Sequence, residues 1–114
     1  MANTHINYIE FKAKDLAEIK RFYSEVFGWK FTDYGPKYTA FSESGIEGGF
    51  ELTEEEITNG ALVVLHHEDL EAVQQKTIEA GGRICQEIFS FPGGRRFQFL
   101  DPSGNELAIW TQTE

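Results

Sequence analysis

Apolar and polar residues alternate from Ile6 to Phe11, with Ile9 and Phe11 on one side and Ile6, Tyr8 and Glu10 on the other; a period of two predicts a strand. Past Asp15 the period lengthens. Leu16, Ile19, Phe22, Tyr23, Val26 and Phe27 recur at helical spacing, so Asp15 caps a helix that Gly28 stops. Trp29 to Thr32 and Lys37 to Ser42 read as short strands around the turn Asp33-Tyr34-Gly35-Pro36, and a further strand runs near Gly48 to Thr53. After Glu54-Glu55-Glu56, which lacks apolar periodicity, the sequence of elements begins again. Ala61 to His67 is a strand with Val63 and Leu65 on one face and Leu62, Val64 and His66 on the other. Asp69 opens a helix carrying Leu70, Val73, Thr77, Ile78 and Ala80, ended by Gly81-Gly82. Strands near Arg83–Ile88, Arg95–Leu100 and Glu106–Thr111 follow, broken by Pro92-Gly93-Gly94 and Asp101-Pro102-Ser103-Gly104-Asn105.

The two halves match at a fixed offset of 54 residues: Asp15-Leu16 with Asp69-Leu70, Ile19 with Val73, Val26 with Ala80, Gly28 with Gly82. Two copies are too few for a solenoid, which needs about three or more. The reading is an α+β chain of two tandem βαβββ modules whose curved sheets carry helices on one face and leave the other concave. The alternative is chance similarity between two βα units of a ferredoxin-like domain. The expected organisation is one domain over residues 1–114, with module 1 at about 4–53, a linker at about 54–60 and module 2 at about 61–112.

Composition narrows the partners. The formal charge of -9 speaks against a nucleic-acid backbone or an anionic membrane, both of which call for a basic face. Cys85 is the only cysteine, so no internal disulfide forms. No apolar run reaches the roughly 18–20 residues of a membrane span, and the opening residues lack the blocks of a signal peptide. The expected location is the cytoplasm. Ten Phe, four Tyr and two Trp are enough to fill a core and to line a cavity besides.

These stretches resemble a known family. His5 to Phe11, continuing through Asp15-Leu16 to Phe22-Tyr23-Ser24-Glu25-Val26-Phe27-Gly28-Trp29, is similar to the opening module of the glyoxalase/bleomycin resistance/extradiol dioxygenase (vicinal oxygen chelate) superfamily. Leu70 to Gly82 resembles its second helix, and Phe99 to Leu107 its closing Asp-Pro-x-Gly-Asn turn and strand. The resemblance implies a half-open cavity, commonly completed in a homodimer. In many members four inward side chains, mostly His and Glu, hold a divalent metal; others, such as bleomycin-binding proteins, bind a ligand without one.

Carried over by position, the metal ligands would fall at Tyr8, Leu62, Ala108 and either Gly49 or, one step along the loop, Glu51. Leu62 and Ala108 have no donor, Tyr8 is a poor substitute for His, and one carboxylate is short of the three or four donors a divalent site needs. No cofactor is expected on this count. The alternative is a divalent metal at an offset set of Glu10, Glu51, His66 and Glu106. Parity puts Tyr8, Glu10, Glu51, Leu62, Val64, His66, Glu106, Ala108 and Trp110 on the concave face, and Ile9, Phe11, Phe50, Leu52, Val63, Leu65, Leu107 and Ile109 on the helix-packed face. The second set is uniformly apolar, as a buried face should be.

His5 and His67 read as surface or capping residues, Cys85 as a quiet thiol, and Gly93-Gly94 beside Arg95-Arg96 as a hairpin turn in preference to an anion-binding loop; the family resemblance implies a loop here that edges the cavity mouth, from which Arg96 reaches a ligand. Three functions stay open. The first, and favoured, is a metal-free protein binding a small amphipathic molecule through Tyr8, Glu51, Leu62, Val64, His66, Arg96, Glu106, Ala108 and Trp110. The second is a metal-dependent lyase or isomerase of the lactoylglutathione-lyase type using Glu51, His66 and Glu106. The third is a metal-free enzyme with Glu10 or Glu51 as base. Open sheet edges and the family resemblance together point to a homodimer.

Overall fold

Asp15 is extended and its carboxylate accepts the Glu18 amide at 3.1 Å, which satisfies one of the free N–H groups at the start of α1 (Leu16–Phe27). Gly28 closes that helix at φ +76, a left-handed conformation that disfavours any side chain. Asp69 does the same for α2 (Leu70–Glu79), accepting from Ala72, and His67 Nδ1 accepts the Asp69 amide at 2.9 Å, so His67 has the capping role expected of it. These elements come from a computed structural model that describes residues 4–113. Residues 1–3, part of the stretch read above for a signal peptide, and residue 114 lie outside it.

Around the helices stand two four-stranded sheets. Module 1 contributes β1 (Tyr8–Ala13), β2 (Lys30–Asp33), β3 (Tyr38–Ser42) and β4 (Glu47–Leu52), in the order β1-β4-β3-β2. Module 2 contributes β5 (Val63–His66), β6 (Arg83–Phe91), β7 (Gly94–Leu100) and β8 (Glu106–Gln112), in the order β5-β8-β7-β6. In both, the first strand pairs parallel with the last and the remaining pairs are antiparallel. Neither sheet closes into a barrel, so the fold is the expected pair of βαβββ modules. Register carries the duplication to single residues: Glu10 stands opposite Gly49 and Val64 opposite Ala108, so the 54-residue offset extends to the first strands and aligns Gly49 with Ala108.

Four expectations shift. β1 starts at Tyr8, leaving Ile6 exposed before the strand. β5 starts at Val63, which puts Leu62 in the approach to the strand. β6 runs on to Phe91, because Pro92-Gly93 alone makes the turn, with Gly93 at φ +100, and Gly94 already pairs with Phe91. Leu52 sits at the end of β4 and is 36% exposed, so the helix-packed face is apolar but not sealed there.

The core joins the modules. Tyr23 stacks on Trp29 (4.8 Å), Trp29 on Phe41 (4.6 Å), and Phe22 of α1 reaches Phe99 of β7 (5.9 Å). Buried residues of both halves thus form one cluster. The Asp101–Asn105 turn adds a polar tie. Asp101 Oδ1 accepts the amides of Ser103, Gly104 and Asn105, while Oδ2 accepts the Tyr23 hydroxyl (2.8 Å) and Asn105 Nδ2. Asn105 Nδ2 also donates to the Lys12 carbonyl, and Ser103 Oγ accepts the Lys14 amide, both at 2.8 Å.

Candidate ligand-binding site

Residues opposed across a sheet share a face, so the registers lay out each concave surface in rows. In module 1 one row is Lys12–Glu51–Tyr38 and the next Glu10–Gly49–Ala40. A Cβ on Gly49 would lie 2.3 Å from the Tyr38 hydroxyl, so the phenol occupies the space the absent side chain leaves. That hydroxyl donates to Glu10 Oε1 (3.0 Å) and is hydrogen-bonded to Tyr8 Oη (2.6 Å). Lys12 is paired with Glu51 and lies 3.9 Å from Glu10. Desolvation, then the hydrogen bonds to Tyr8 and Glu10, push the Tyr38 phenol well above its ordinary value, so it stays a donor. The polar groups of this face therefore satisfy one another.

That arrangement does not fit a divalent metal. Tyr8 is turned to Tyr38, the Gly49 position is filled by a ring, Glu51 is held by Lys12, Leu62 precedes its strand, and Ala108 is fully buried without a donor. Nor is the offset set assembled. Glu10 and Glu51 stand on one sheet and His66 and Glu106 on the other. Among the described residues no three His, Cys, Asp or Glu form a group able to hold a metal ion. His66 donates to Gln112, and Glu106 accepts from Gln98 at 2.6 Å.

The concave face of module 2 has a different character. One row crosses all four strands: His66, Trp110, Arg96 and Phe89. The next is Val64, Ala108, Gln98 and Gln86. His66 meets the Trp110 ring edge-on at 5.2 Å, and Phe91 lies 6.3 Å from it. A Cβ on Gly94 would come within 3.1 Å of both the Phe91 and Trp110 rings, so the two aromatics lean over this glycine. Leu62 and Val64 are 37% and 44% exposed. Ala108, counted above among the ligand-binding residues, is fully buried and forms the covered floor of the slot. The Arg96 guanidinium lies over the Phe89 ring (5.2 Å), and its Nε is buried with no hydrogen-bond partner. Cys85 reaches Glu106 at 3.7 Å, and burial followed by that carboxylate pushes its thiol up, which makes it less reactive.

Phe89, Phe91 and Tyr38 were missing from the sequence-derived site. The first two fall beyond Ile88, where the strand was expected to stop. Tyr38 was recoverable, since alternation along Tyr38–Ser42 puts it opposite buried Thr39 and Phe41. A separate cavity of about 460 Å³ opens between the edges of β1 and β5 on the helix side, lined by Phe11, Trp29, Phe41 and Leu65 among others. It borders Val64 and His66 but none of the other expected ligand residues.

Two open four-stranded sheets, each from a βαβββ unit and sharing one core, define a duplicated half-barrel protein. The chain belongs to the Glyoxalase/Bleomycin resistance protein/Dioxygenase superfamily, whose family model matches residues 5–109. It is 33% identical over 119 residues to a glyoxylase-like domain-containing protein of Didymella fabae, covering 94% of this chain and 93% of that one. The fold is similar to a family enzyme from Burkholderia phytofirmans PsJN (TM-score 0.82, 16% identity, 94% and 98% of the two chains). It is also similar to TnmS3, an antibiotic binding protein from Streptomyces sp. CB03234 (TM-score 0.73, 21% identity, 99% of each chain).

Proposed function

We propose that this protein binds a small amphipathic molecule, without a metal, on the concave face of module 2. The observation that carries the reading is the row His66–Trp110–Arg96–Phe89 with Leu62 and Val64 left accessible beside it. An aromatic surface with a few polar anchors is the usual make-up of a small-molecule site. The antibiotic-binding description of TnmS3 supports the same kind of ligand. Module 1 offers less, because Glu10 and Glu51, the candidate bases, are engaged by Tyr38 and Lys12. The cavity between β1 and β5 is walled chiefly by apolar residues, with no buried polar side-chain atom left unpaired among its described lining residues. In this reading the protein acts in the cytoplasm as a homodimer, in which a second copy covers free strand edges.

The two tryptophans separate the possible sites, since Trp110 is on the concave face and Trp29 lines the cavity. Indole N–H signals in 15N–1H spectra, titrated with a panel of flat amphipathic compounds, are expected to move at Trp110 and stay still at Trp29. Trp110→Leu should weaken binding by about 1–3 kcal/mol, the scale of one buried aromatic contact. Shifts confined to Trp29 would relocate the site to the cavity, and no shift at either would end the proposal.

A further inference from the structure

We infer that the ligand carries an anionic group, a carboxylate or sulfonate on a flat aromatic body, and that Arg96 is its anchor. This rests on the binding face proposed above and names the class of molecule it takes. The starting point is a contrast between neighbouring arginines. Arg95 points to the helix side and is held by Glu71 at 2.6 and 3.2 Å. Arg96, one residue on and therefore on the opposite face, has no carboxylate partner among the described residues. Its Nε is the one buried polar side-chain atom among them left without a hydrogen bond.

A buried donor on a permanent cation is costly to leave unmet, and the guanidinium presents a planar fork that matches a carboxylate bidentately. Its surroundings add direction. Phe89 backs one side of the guanidinium, and Trp110 stands opposite Arg96 on β8. An aromatic ring placed on Trp110 would hold its acidic substituent toward Arg96. In module 1 the equivalent row is Lys12–Glu51–Tyr38, where cation and carboxylate neutralise each other. Module 2 puts Trp110 where module 1 has Glu51, so the internal counter-ion is missing and the cation faces the slot. Glu106, the acidic residue of β8, is four positions from Trp110 and already bonded to Gln98 and Cys85. The net charge of -9 lowers the affinity of anions for the molecule as a whole, so recognition of one has to be local.

The test compares 2-naphthoate with its neutral isostere 2-naphthamide, reading the Trp110 indole signal, assigned by its loss in Trp110→Leu. Wild type is expected to bind naphthoate on the order of tenfold more tightly, the size of one net charge-assisted hydrogen bond. Arg96→Gln should abolish that preference by weakening naphthoate far more than naphthamide, and Arg96→Lys should restore part of it. Equal binding of the two probes by wild type, or a preference that survives Arg96→Gln, overturns the anionic anchor but leaves the slot standing. Failure of both probes to move Trp110 overturns the anchor together with the slot. Circular dichroism of each variant confirms that the fold is retained, and should Arg96→Gln be unfolded, the wild-type probe ratio with Arg96→Lys decides.

Discussion

Asp101 shows how much one side chain can carry. Only 4% exposed, its carboxylate accepts three backbone amides and two side-chain donors, one of them the fully buried Tyr23 hydroxyl. Removing it strands those donors in a dry site. Asp101→Ala is expected to destabilise by about 3–5 kcal/mol, the range for a broken buried network, and Asp101→Asn by less, since one acceptor oxygen remains. Burial outweighs these hydrogen bonds and holds the carboxyl above its ordinary value. The sign follows by linkage. A carboxyl that keeps its proton more tightly when folded favours the native state at low pH, and this contribution falls as pH rises from the unfolded value through the raised folded one. Urea unfolding at a series of pH values should therefore show Asp101→Asn losing ground to wild type least at the upper end of that window. A difference that instead grows with pH would contradict the direction.

At the scale of elements, the adjacent glycines of β4 do different work. A Cβ on Gly48 would lie 2.0 Å from the Ile9 carbonyl oxygen and 2.4 Å from the Phe41 ring, so a side chain there drives β1 away from β4. On Gly49 its three nearest atoms would all belong to the Tyr38 phenol, which can swing aside at the loss of its bonds to Tyr8 and Glu10. Gly48→Ala is thus expected to cost about 3 kcal/mol or more, as severe overpacking does, and Gly49→Ala about 1–2 kcal/mol. Chemical denaturation of both variants checks the order, and equal losses would mean that β1 is not held at this distance. The same strands show what was legible in the sequence. Both helices, their Asp caps, the Gly28 stop and the alternation of β8 are local signals, and each fell where the pattern put it. Whether Gly49 leaves a hole depended on Tyr38, which approaches from another strand through a register that no local period encodes. Ala108, counted from the sequence among the ligand-binding residues, is likewise covered by its neighbours in the fold. Phe89 and Phe91 were lost for a local reason, since register shifts between Ile84 and Phe89 interrupt the alternation that would carry the strand past Ile88.

For the molecule as a whole, the question is whether two modules make two folding units. Duplication and the stretch without helix or strand between β4 and β5 would allow it. The contacts oppose it. Phe22 and Phe27 of α1 pack on Phe99 of β7, at 5.9 and 6.3 Å, and Phe22 also lies where a Cβ on Gly82 would be, 3.0 Å away. The Asp101 turn binds Tyr23 and, through Asn105 and Ser103, the backbone at Lys12 and Lys14. Each module alone would expose an aromatic face and leave buried donors unmet, and a unit of about 50 residues is marginal by itself. The expectation is one cooperative transition, with the calorimetric enthalpy equal to the van't Hoff enthalpy. A substitution in either half should move the same transition: Phe99→Ala, cutting the seam from module 2, should lower stability by about 3–5 kcal/mol as judged by probes in module 1. The buried Trp29 supplies such a probe by its fluorescence, with Trp110→Leu as background. A Trp29 transition that stays in place while module 2 unfolds earlier would show that the modules are separable. A shift of Trp29 in step with the loss at Phe99 would show that duplication has produced one core.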